Sequence, residues 1–179
     1  MRSGSRSVVE VEVEALAGVD FSAREELDPS TEPRVFLESW LDFQRHEFVR
    51  KLRDLSQEQL VAWSIPPVEL SVMGLVRHMT QMEHHYVTWG LGGGDYLMVY
   101  GEEDYAGGSV STVEEDLHLY FSEVDKADRS ISAMSSLDSI GDGTGRTLRA
   151  TLVKMIDEYA LHAGQAHMLR FAALGEMIR

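Results

Sequence analysis

At 179 residues, 44% of them hydrophobic, the chain suits one folded domain around one sizeable core and is too apolar to be disordered. Its 30 acidic residues against 16 basic ones give a formal net charge of -14, a surface that repels phosphate backbones and anionic lipid and argues against nucleic-acid and membrane roles. The absence of cysteine excludes disulfides, Cys-ligated zinc, iron–sulfur clusters and a cysteine nucleophile, so any thiol chemistry must use a thiol brought by a ligand.

The chain opens on MRSGSRSVVEVEVEAL, where Glu10, Glu12 and Glu14 interrupt the apolar residues, so no secretory signal is expected. No apolar run approaches the roughly 20 residues that span a bilayer, and the expected location is the cytoplasm. Val9, Val11 and Val13 alternate with those glutamates at strand spacing. A lone strand is not stable by itself, so residues 1–33 read as an N-terminal arm, either mobile or laid on another surface.

From Arg34 the period becomes helical. Leu37, Leu41, Phe48, Leu52 and Leu55 follow 3–4 spacing with one gap, at Gln44. Ser56 with Gln59 forms a capping-box pattern in SQEQL. Pro66 and Pro67 interrupt any helix, and Ser71 caps the next. In this second long helix Val72, Leu75, Met79, Met82, Tyr86 and Trp89 form the expected core stripe, which ends in the glycines at 90 and 92–94. The third opens near Ser111 or Thr112, with Glu114 and Glu115 at its positive dipole end, and carries Val113, Leu117, Tyr120, Val124, Ala127, Ile131 and Met134. The fourth carries Leu148, Leu152, Met155, Tyr159, His162, Ala166, Leu169 and Ala173 and stops near Gly175. The predicted fold is therefore all-α, a four-helix bundle over residues 34–179. A short third-to-fourth link predicts antiparallel neighbours. The second-to-third link, about 20 residues, is long enough to cross the bundle and favours an up-down-down-up order. Loops of that length are also disproportionately functional.

One polar residue interrupts the apolar stripe of the fourth helix. His162 stands where Leu or Ala is expected, with Glu158 one turn earlier. Four residues advance a helix by about 400°, so the two side chains lie about 40° apart on one face. Such a pair reads either as a helical ion pair around a satisfied histidine or as two ligands for one metal ion. His78, on the face of the second helix shared by Leu75, Met82 and His85, adds a third donor. Two histidines and a glutamate with a fourth position open form the arrangement of catalytic zinc, and nickel, iron or manganese also suit these donors.

Other polar residues have two readings each. His84 and His85 are adjacent and point about 100° apart, so both cannot face one pocket. His85 reads as a ligand contact or as a half-buried structural histidine. Arg77 and Arg170 read as holders of an anionic substrate or as partners in exposed ion pairs. His46 and His118 are expected at the surface and His167 off the His162 face. Trp40, Trp63, Trp89 and the methionines are expected in the core.

From Phe36 to Ala173 the stretches LESWLDFQRHEF, LSQEQL, GLVRHMTQMEHHY and TLVKMIDEYALHAGQAHMLR resemble the DinB-like superfamily of four-helix-bundle proteins. That resemblance implies a divalent metal held by one histidine on the second helix and a pair spaced i, i+4 on the fourth, here His78, Glu158 and His162. The commonest family pattern has histidine in place of Glu158, whereas the mycothiol-dependent maleylpyruvate isomerase branch has glutamate there. Gln165, in HAGQ, matches the wider family. Lys154, Leu161, Gln165 and His167 differ from the closest branch.

The resemblance implies a metal-dependent S-transferase or isomerase that uses a low-molecular-weight thiol such as mycothiol on a small electrophile. Gln165, Arg77 and His85 are then candidates for the substrate pocket. It also implies a homodimer. A non-catalytic metal- or ligand-binding protein and a structural homodimeric bundle are the rival classes.

Overall fold

A computed structural model describes residues 13–22, 32–101, 104–105 and 108–176. Helix α1, Pro33–Val49, begins where the Glu32 carboxylate accepts the Arg34 and Val35 amides and proline takes the first helical position. It passes through a 3₁₀ turn, Arg50–Leu52, rather than running on to Leu55, because Asp54 adopts a left-handed φ of 62°. The short α2, Gln57–Val61, forms on the expected Ser56–Gln59 capping box.

Helix α3, Val72–Met82, starts on Ser71, whose hydroxyl accepts the Gly74 amide at 2.9 Å. It continues through a π-helical segment, Glu83–Thr88, into α4, Trp89–Gly92. The π segment changes the expected core stripe. Its wider turn shifts the inward face, so the buried line after Met79 runs through Glu83, Val87 and Leu91. Met82, Tyr86 and Trp89, expected to continue that line, are only half-buried.

Helix α5, Val113–Ala133, follows a 3₁₀ turn over Val110–Thr112 that is capped from Ser109. Helix α6, Leu148–Leu174, is capped by the Thr147 hydroxyl and closed by left-handed Gly175, where the sequence places its end. Among the described residues there is no strand, only an isolated bridge between Ile140 and Thr147. Among the described residues no helix is long and apolar enough to cross a membrane.

The long helices pack α1 on α6, and α3 on both α5 and α6. Tyr120, Tyr159 and Phe48 fill the centre, with the Phe48 ring edge-on to Tyr159 at 5.7 Å. The gap at Gln44 has an ionic neighbour. Arg45 is buried, and its guanidinium donates to both oxygens of fully buried Glu83 at 2.7 Å, while the Tyr159 hydroxyl donates to the same carboxylate at 2.7 Å.

Val9 and Val11 lie outside the described residues. Val13 is buried and leads into a 3₁₀ turn, Glu14–Leu16, whose Glu14 and Ala15 amides donate to the Glu114 carboxylate in the first turn of α5. At least this part of the arm is laid on the helices. Among the tryptophans, Trp63 is half exposed rather than in the core, and Trp40 and Trp89 are half-buried. Met98 and Met168 are likewise exposed.

Candidate metal centre

The face α3 turns toward α6 carries His78, and the face α6 returns carries Glu158 and His162. One ligand atom from each lies within 4.8 Å of the others. Glu158 Oε2 is 3.2 Å from His162 Nε2 and 3.8 Å from His78 Nε2. The two imidazoles meet edge to face at 4.8 Å.

Each ring is held from behind. His78 Nδ1 lies 2.8 Å from Asp104 Oδ2, and His162 Nδ1 lies 2.7 Å from the Gln165 amide oxygen. A carboxylate and an amide oxygen only accept, so these partners favour the proton on Nδ1, although at His162 the Glu158 carboxylate, 3.2 Å from Nε2, competes for it. In that tautomer the lone pairs sit on the two Nε2 atoms, both facing Glu158 Oε2. Three acceptors converge with no donor among themselves, a donor set that suits a cation and is supported in the manner of metal-bound histidines.

Electrostatics agree with that state. Burial lowers the His78 pKa, and the nearby His162 lowers it further, against the opposing pull of Asp104 and Glu158. Burial alone would raise Glu158, but the hydrogen bond and charge of Lys154, with the two histidines, hold it below the usual carboxylate range. Lys154 bonds the other oxygen of Glu158 one turn back on α6, and its own pKa rises in consequence. At neutral pH His78 is neutral and Glu158 is ionised.

The long α4–α5 connection supplies two residues that no periodicity points to. Asp104 backs His78, and the Tyr105 ring stacks on His78 at 4.0 Å with 18° between planes. The Tyr105 hydroxyl is 3.5 Å from His162 Nε2. Burial first, then Asp104 and Glu158, pushes the Tyr105 phenol up to about 12, so it stays protonated. The only sequence signal for these residues is the length of the link.

The remaining candidates have other partners. Gln165 is next to the site and bonds His162 directly. Arg77 pairs with Asp116 at 3.3 Å and lies over the Tyr100 ring at 4.1 Å. His85 sits in the π segment among the rings of Tyr86, Trp89 and Tyr96. Arg170 pairs with Asp54, and His118 is exposed. Thus the structure brings His78, Glu158, His162 and Gln165 together, while Arg77 and His85 face different neighbours.

The family model described as mycothiol-S-transferase matches residues 36–175, a span that runs from α1 to the end of α6 and contains all of these site residues. No curated protein and no solved structure matches the chain.

Proposed function

We propose that this chain, which belongs to the mycothiol-S-transferase family, is a divalent-metal-dependent transferase that joins the sulfur of a mycothiol-type thiol to a small electrophile. The observation that carries the reading is the convergence of His78 Nε2, His162 Nε2 and Glu158 Oε2, with each Nδ1 held by an acceptor outside the cluster. Zinc is the ion this His₂Glu set suits first, and nickel, iron or manganese also fit its donors. A divalent cation at such a site supplies a lowered thiol pKa, and hence thiolate at neutral pH.

The chain's own residues do the rest. His78 and His162 present fixed lone pairs because Asp104 and Gln165 hold their rings. Glu158 contributes the negative charge and is kept ionised by Lys154. Tyr105 covers one side of His78. The chain has no cysteine to compete as nucleophile, so the sulfur comes from the cosubstrate. In the transfer the S–H bond breaks and an S–C bond forms; a saturated carbon releases its leaving group, which departs with the thiol proton, whereas a C=C bond opens and takes that proton on the neighbouring carbon.

We read residues 34–179 as the bundle domain and its four long helices as up-down-down-up. Two contact series support this order. Arg77–Asp116 and His84–Glu123 advance together along α5 and along α3 with its π-helical continuation, while His78–His162 and Glu83–Tyr159 run in opposite senses along that continuous helix and α6. A cytoplasmic homodimer completes the reading. Val153, Leu161 and Met168 recur at about two-turn spacing on the outer side of α6 and are exposed. Sedimentation should give a dimer, and a 20 kDa species at micromolar concentration would contradict it.

Metal analysis of protein purified without a histidine tag tests the central claim. About one divalent ion per chain is expected, lost in His78→Ala and His162→Ala and kept in His118→Ala. Equal metal in all three variants would sink the assignment. Turnover of mycothiol with an electrophile then separates a transferase from a binding protein.

A further inference from the structure

Tyr105 is seated with unusual closeness for a residue in a long connection. A Cβ placed on Gly74 of α3 would lie 2.2 Å from the Tyr105 carbonyl oxygen, so the loop backbone occupies space that only glycine leaves open. Further along α3, Arg77 Nε donates to the Asp104 carbonyl at 3.4 Å, and the Gln81 side-chain oxygen accepts the Val99 and Tyr100 amides at 2.8 and 3.3 Å. Gly74, Arg77, His78 and Gln81 thus form one face of α3 that holds the loop in place.

This seating gives the Tyr105 hydroxyl a specific partner. It is 3.5 Å from His162 Nε2. With its proton on Nδ1, facing the Gln165 oxygen, His162 offers a single lone pair at Nε2. That lone pair cannot serve a phenol and a cation together. Once it coordinates, the protonated phenol beside it loses that acceptor, and Tyr105, 37% exposed, turns either to water or to another ligand of the ion. An atom that completed the coordination begun by His78, Glu158 and His162 would stand beside this hydroxyl, which is 3.5 Å from His162 Nε2.

We propose that Tyr105 is a substrate-binding residue whose hydroxyl donates a hydrogen bond to the thiolate sulfur at that open position. The proposal rests on the metal-dependent transferase reading above. In it, Asp104 and Tyr105 divide the work of one loop. Asp104 orients a ligand of the metal, and Tyr105 recognises what the metal binds.

The test uses full-length, cobalt-loaded protein as wild type, Tyr105→Phe and Gly74→Ala. Cobalt affinity is measured first, by competition with a chelator. β-Mercaptoethanol is then titrated while the sulfur-to-cobalt charge-transfer band is followed. Tyr105→Phe keeps the ring on His78 and removes only the hydroxyl. Its cobalt affinity should equal wild type, while its thiol dissociation constant should rise about tenfold or more, the loss expected of a hydrogen bond to a charged acceptor. Gly74→Ala, which displaces the loop backbone, should weaken thiol binding at least as much.

Unchanged thiol affinity in Tyr105→Phe would overturn the donor role. Loss of cobalt in that variant would also overturn it, by making Tyr105 part of the metal site. Wild-type protein that takes up no cobalt, or takes it up and shows no sulfur band, would instead refute the transferase reading on which the donor role depends.

Discussion

Gln165→Leu should separate the support of the site from its substrate pocket. The Gln165 side-chain oxygen accepts from His162 Nδ1 at 2.7 Å, and His162 is only 3% exposed. Leucine keeps most of the side-chain bulk and removes the acceptor. Two costs follow. A buried N–H left without a partner costs about 1–3 kcal/mol of stability. In the metal-free protein the proton can instead move to Nε2 and donate to Glu158 Oε2 at 3.2 Å, which relieves that stability cost but removes the lone pair a metal needs. Loss of such an orienting partner typically lowers metal affinity about 10–100-fold, equivalent to about 1.4–2.7 kcal/mol. Competition with a chromophoric chelator measures the affinity, and urea unfolding of the metal-free protein measures the stability. Gln165→Glu, which restores an acceptor, should recover metal affinity. A folded Gln165→Leu protein with wild-type metal affinity would refute the orienting role.

Three further outcomes follow from the same coordinates. Arg45→Met should destabilise the chain by about 3–5 kcal/mol, because it strands the Glu83 carboxylate, which is 0% exposed, beside the Tyr159 hydroxyl alone; a change within the error of urea unfolding would refute the paired reading. Stability of the metal-free protein should fall on acidification. The folded His78 pKa lies below the ordinary 6.5, so the unfolded chain binds that proton first; the contribution is full above 6.5 and lost as pH falls through the folded value. Glu158 acts with the same sign further down, below 4.5. A His78→Gln protein with the wild-type pH slope would contradict the assignment. Asp104→Ala should lower metal affinity about 10–100-fold, whereas Asp138→Ala, at an exposed ion pair with Arg149, should leave it unchanged in the same chelator assay.

The helical class, the caps at Ser56 and Ser71 and the stop at Gly175 were legible because capping chemistry and 3–4 spacing act within a turn or two of chain. Glu158 and His162 were legible as a pair for the same reason, since one helix fixes the angle between residues four apart. Their meeting with His78 was a surmise from two separate stripes, which the packing of α3 on α6 brings within 4.8 Å.

What periodicity could not show is everything set by a break in period or by distance along the chain. The π segment Glu83–Thr88 widens one turn, with Glu83 inward and Tyr86 outward, and Glu83 there meets the Arg45 guanidinium across the core. Asp104 and Tyr105 lie in a segment with no repeat at all. They reach His78 and His162 only because Gly74, 30 residues earlier by number than Asp104, leaves room for the loop backbone against α3. Local propensity names the helices and two neighbouring donors on one of them; only the tertiary packing decides which lone pairs converge, what holds them, and which hydroxyl stands beside them.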